Sequence, residues 1–119
     1  MSDDACNGFP VVIASGPITE ASLAELGNFV RESCENAQVQ GAIIDCKLIE
    51  GALSSESLYR ATPEFTAAVG QQIKVAYINR PECWPPDDDQ FSRDVAYNRG
   101  VLLELFETID DAVDWLQQP

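Results

Sequence analysis

The stretch Gly41-Ala42-Ile43-Ile44-Asp45-Cys46 (GAIIDC) decides the fold class. A strand with one face in water alternates apolar and polar residues, whereas this run is apolar at consecutive positions and reads as a central strand buried on both faces. Such a strand needs partners on either side. Ile73–Ile78 (IKVAYI) and Val101–Phe106 (VLLELF) share its short, β-rich character. Residues 9–15 (FPVVIAS) form a fourth run, stopped by Gly16-Pro17, whose Pro10 suits a strand start or an edge. The strand centres at 11–14, 43–45, 75–78 and 102–105 are therefore expected in one sheet.

Between the strands the period changes. Leu23, Leu26, Val30 and Cys34 recur at three- and four-residue steps with Glu25, Arg31, Glu32 and Glu35 among them, which predicts an amphipathic helix capped by Thr19 and ending near Asn36. Ser54 can cap a second helix with Leu53 and Leu58 as its hydrophobic staple; Thr62-Pro63 is expected to restart a separate segment, which Gly70 ends. Asp87, Asp88 and Asp89 suit the start of a helix through Phe91, Val95 and Ala96, because carboxylates favour the positive end of a helix dipole. Thr108 caps a last helix with Ile109, Ala112, Val113 and Leu116 on one face. This order predicts an α/β fold: a four- to five-stranded, mostly parallel or mixed sheet flanked by helices. It is read as a single domain over residues 9–119, preceded by a flexible segment at 1–8. Ligands of such sheets gather at the carboxyl ends of the strands, here residues 47–54, 79–87 and 107–108.

Composition narrows the function. A chain of 119 residues, 45% hydrophobic, holds one real core. Twenty acidic against seven basic residues give a net charge of −13, which repels phosphate backbones and anionic bilayers, so neither nucleic acid nor membrane is an expected partner. With no His in the chain, Ser-His-Asp and Cys-His nucleophile pairs and His-ligated zinc are excluded. Residues 1–7 lack the basic start and apolar run of a secretory signal, and no run approaches a membrane span, which makes a cytoplasmic location the default expectation. Cys6, Cys34, Cys46 and Cys83 form no C-x-x-C pair and are expected to be free thiols, with Cys34 and Cys46 buried as small hydrophobes.

Three stretches together resemble the SpoIIAA-like branch of the STAS superfamily, the anti-sigma-factor antagonist fold also related to lipid-carrying Sec14 domains. They are residues 11–26 (VVIASGPITEASLAEL), a strand and then G-x-(I/L)-T before a helix; residues 41–45, a buried strand ending in Asp; and residues 99–116 (RGVLLELFETIDDAVDWL), a strand ending in Phe, a capping Thr and an A-x-x-W-L helix. The resemblance covers residues 11–117 and brings no catalytic motif. It implies a domain that acts by being bound, often by a kinase or regulatory partner. In the phosphorylated antagonists a Ser follows Asp in a pattern like (D/N)-L-x-x-(V/L)-x-x-x-D-S-S-G. Counting from Asp45 puts Ser54 and Ser55 on that pair, with Leu53 where the pattern has Asp and Glu56 where it has Gly. The same Ser54 is explained as a helix cap without any phosphate.

The remaining candidates each have a plain structural alternative. Asp45 reads as a buried acid at a strand end, or as a side chain satisfied by backbone N–H groups of the following loop. The Asp87–Asp89 run lacks the alternating carboxylates of a calcium loop and reads as a solvated helix start, so no metal is expected. Trp84, in a Pro-bounded loop with Cys83, and Arg80 beside it suit a binding surface. The expected function is therefore a non-enzymatic, regulatory or protein-binding module without a cofactor, with a binding edge at Asp45, Lys47, Leu53, Arg80 and Trp84 and candidate phosphorylation at Ser54 or Ser55. The residues 82–114, with ten carboxylates and two Arg, would steer a basic protein partner. The rival reading is a carrier of a small apolar ligand or lipid, which would require a lined cavity beneath Leu53, Leu58, Tyr59 and Phe65.

Overall fold

A computed structural model describes residues 2–6, 8–51, 54–70, 72–78 and 100–118, with backbone alone at 2–6, 55, 58 and 59. The elements are β1 (Ser2–Cys6), β2 (Phe9–Pro17), α1 (Glu20–Ala37), β3 (Gly41–Glu50), α2 (Ser55–Val69), β4 (Ile73–Ile78), β5 (Val101–Phe106) and α3 (Ile109–Leu116). One five-stranded sheet runs in the order β1-β2-β3-β4-β5. β2 to β5 are mutually parallel, and β1 pairs antiparallel with β2. The mixed α/β architecture follows from the unbroken apolar runs: residues 41–46 of β3 and 75–78 of β4 are buried on both faces.

Two layers cover the sheet. On one face Ala42, Ile44, Cys46, Val75, Tyr77 and Val101 share a core with α1 and α2. On the other, Val11, Ile43, Ala76 and Ile78 pack with Ala112, Val113 and Leu116 of α3. α1 and α2 lie close together because Gly27 lets them: a Cβ there would stand 2.7 Å from the Phe65 carbonyl oxygen and 2.9 Å from Ala68 Cβ. Lys74 ties down the far end of α3, its Nζ donating to the carbonyls of Gln118 at 2.7 Å and Trp115 at 3.4 Å while lying 5.3 Å from the Trp115 ring centre. A lysine from β4 thus meets the negative end of a helix that has no basic residue in its last turn.

Four expectations need correction. Residues 1–8, read as a flexible segment, contain β1, whose backbone pairs with the outer edge of β2 from Ser2↔Ile13 to Cys6↔Phe9; main-chain pairing along a sheet edge needs no apolar pattern in the strand that is added. β2 does not stop short of Gly16 but runs through it and ends at Pro17. Gly16 takes φ +86, open to glycine, and the ladder continues until Ile18 N–H donates to Glu50 O at 2.9 Å. Pro63 does not start a new helix but sits inside α2. The buried series Ala61, Thr62, Phe65, Thr66 and Val69 runs across it, so packing against the sheet holds the helix through the missing N–H. Finally, β3 does not end at Asp45 but continues to Glu50. The expected helix from Asp87 through Phe91 and Val95, and the Leu53–Leu58 staple, lie outside the described residues.

Candidate functional site

Because α1, α2 and α3 each follow a parallel strand, all three begin at the carboxyl edge of the sheet. Each has a hydroxyl cap. Thr19 Oγ1 accepts from Ser22 N–H at 3.0 Å and Ser22 Oγ from Thr19 N–H at 2.7 Å, a reciprocal capping box. Ser54 Oγ accepts from Ser57 N–H at 3.1 Å, and Thr108 Oγ1 from Asp111 N–H at 3.2 Å. Ser54 is exposed. The edge also carries an ion-pair bridge absent from the sequence reading: Arg60 Nε donates to Glu20 Oε1 at 2.8 Å and Arg60 Nη1 to Glu56 Oε1 at 2.6 Å. The Glu20 hydrogen bond, then that of Glu56, holds the exposed guanidinium still more firmly protonated. The Glu56–Arg60 spacing was legible as an i,i+4 pair. Glu20 lies 40 positions away in sequence and came within reach only through packing of α1 on α2.

Asp45 has a specific structural task. Its carboxylate is buried, with Oδ1 accepting from Lys47 N–H at 3.1 Å and Oδ2 lying 3.4 Å from Lys47 Nζ. Between the pairs Ile13↔Asp45 and Ser15↔Leu48 the register shifts, β2 advancing two residues while β3 advances three. The extra residue is a β-bulge, uncommon between parallel strands, and the Asp45–Lys47 hydrogen bond closes it. A bulge reverses which residues face which side. Ala42, Ile44 and Cys46 point toward α1 and α2 before it, but after it Ile49 does, and Leu48 turns to the α3 face. Leu48 is 52% exposed.

Of the expected edge, the structure therefore brings Asp45 and Lys47 together within β3 and sets Ser54 beyond the strand's end, at the start of α2. Leu53, Arg80 and Trp84 lie outside the described residues, as do Cys83 and Asp87–Asp89; for Ser55 only the backbone is described. Among the described residues no group of three or more His, Cys, Asp or Glu is placed to hold a metal ion. No described helix is long and apolar enough to cross a membrane. Among the described residues, a void of about 30 Å³ lies between Leu26, Ile44, Phe65 and Tyr77, and one of about 40 Å³ between Gly16, Ile18 and Leu23.

Cys34 and Cys46 are buried thiols outside any disulfide. Burial, aided by the neighbouring Glu35 carboxylate, pushes the Cys34 thiol from 9.0 up to about 11. A raised value means that folding favours the neutral thiol. Its contribution to stability is whole below the unfolded value and is lost as pH rises through the folded one. The stability gap between wild type and Cys34→Ala is therefore expected to hold up to pH 9.0 and to shrink toward pH about 11, measured by denaturant midpoints across that range. A gap that widens with pH would contradict this assignment.

Comparison with protein-family models, with curated proteins and with solved structures finds no match.

Proposed function

We propose that this chain is a non-enzymatic regulatory module of the STAS-like, anti-sigma-factor-antagonist type, which acts by being bound by a protein partner at the carboxyl edge of its sheet. Ser54 is the residue through which phosphorylation would regulate that binding. The observation that carries the reading is the exposed Ser54 hydroxyl capping α2 at the edge where all three described helices begin. The strand closed by Thr108 and α3, on which the resemblance rests most, lies in the same sheet. A phosphate on Ser54 would meet the positive end of α2 and stand near Glu56, whose carboxylate holds Arg60, so its charge would alter a ready-made ion-pair bridge. The cavity that the carrier reading requires, beneath Leu53, Leu58, Tyr59 and Phe65, lies largely outside the described residues.

As a cap, Ser54 makes separable forecasts. Ser54→Ala is expected to lower stability by about 1 kcal/mol, whereas Ser54→Asp should be nearly neutral because Asp also caps and suits the dipole. Chemical denaturation checks both. Regulation requires more: phosphate found by mass spectrometry on Ser54 or Ser55 of protein isolated from its host, and weaker binding of a copurified partner to Ser54→Asp than to wild type. No phosphate and equal binding would leave Ser54 a cap and nothing else. No partner retained by the wild type would remove the module reading itself.

A further inference from the structure

A single exposed leucine is ordinary on a protein surface. Leu48 differs in how it comes to be exposed. A buried carboxylate, Asp45, holds one extra residue in β3, and the consequence is that Leu48 faces outward instead of joining Ala42, Ile44 and Cys46 in the core. Bulges commonly re-aim a side chain beside a functional surface. Leu48 stands beside Ser15 on β2, with half-buried Ile13 preceding Ser15 on the same face, and Glu50 and Pro17 exposed at the end of the strip. Lys47, the one cation among the described residues of the strip, lies 3.4 Å from Asp45. Beyond the strip, Glu107, Asp110 and Asp111 are exposed where α3 begins at the same edge, and the chain as a whole carries −13. Among the described residues, the exposed charges at this edge are mostly carboxylates, and an apolar side chain at such an edge suits a partner of opposite charge that carries its own apolar contact.

We infer that the strip Ile13, Ser15, Leu48 and Glu50, on the α3 face at the carboxyl edge, is a docking surface for a basic amphipathic segment of a protein partner, with Leu48 as its apolar anchor. This rests on the binding-module reading and adds the partner's chemistry to it. The carboxylates draw the segment in, and Leu48 decides where it settles.

The test needs no native partner, so its failure and that of the Ser54 forecasts are told apart. A synthetic peptide of alternating Leu and Lys is titrated into the isotopically labelled full chain and followed by backbone amide resonances. Shifts are expected at residues 13–16 and 47–50. Leu48→Glu adds attraction for the peptide while removing the anchor, so charge steering alone forecasts equal or tighter binding. The anchor forecasts binding weaker by about tenfold or more, with Leu48→Met close to wild type. Thermal unfolding of each variant confirms that the fold is kept at this exposed site. Shifts spread over Glu25, Glu32 and Glu35 of α1, undiminished affinity of Leu48→Glu, or no binding at all would each overturn the assignment.

Discussion

Replacing Phe65 by Ala is expected to lower the unfolding free energy by about 3–5 kcal/mol, the range for truncating a buried aromatic ring. Phe65 is 6% exposed and packs from α2 into the core shared with Leu23, Leu26 and Ile44. Two features put the loss toward the upper part of that range. The ring lies 3.2 Å from where a Cβ on Gly27 would stand, so α1 and α2 are already at closest approach and have little freedom to collapse into the space. The site also borders a void of about 30 Å³, which the missing ring would enlarge into an apolar cavity. Urea unfolding should show a lower midpoint with an unchanged slope. Benzene, which enters dry cavities of this kind, should raise the midpoint of the variant and leave wild type unmoved. A loss under about 1 kcal/mol would mean that the two helices close the gap after all.

Ile43→Ala tests the opposite face, with an expected loss of about 2–5 kcal/mol. Ile43 is fully buried in the middle of β3, paired with Val11 and Ala76, and belongs to the core that α3 closes with Val113 and Leu116. Domains of this size keep roughly 5–15 kcal/mol in all, so either substitution removes a large share. The α3 layer is thinner, an eight-residue helix with three buried side chains. Its docking should therefore weaken together with global stability. Amide exchange in residues 109–116 is expected to quicken more in Ile43→Ala than in Phe65→Ala. The reverse order would mean that the two faces do not depend on separate cores.

How much of this was legible in the sequence varies by element. Ile73–Ile78 and Val101–Phe106 match their strands from end to end, because each is a short run of β-favouring residues. Thr19, Ser54 and Thr108 cap the helices they were expected to cap, since a hydroxyl facing the third N–H of a helix is a local arrangement requiring no distant partner. Pro63 and Gly16 misled in the same way. Both are breakers by local preference, and in both places contacts from other elements outweigh that preference.

The candidate site divides along the same line. That Ser54 begins a helix and that Glu56 can reach Arg60 follow from spacing along one chain segment. The two charges on either side of Arg60, one on each helix, meet only because α1 and α2 pack together. The bulge at Asp45 is a relation between two strands: it exists because β2 advances two residues where β3 advances three, and no property of residues 45–48 taken alone counts steps on a neighbour. The sequence by itself determined that residues 41–46 run buried through the centre of an α/β sheet, because hydrophobic pattern is set residue by residue. Only the tertiary structure decided which side Leu48 faces, because the side a strand residue faces is set by register against its partner.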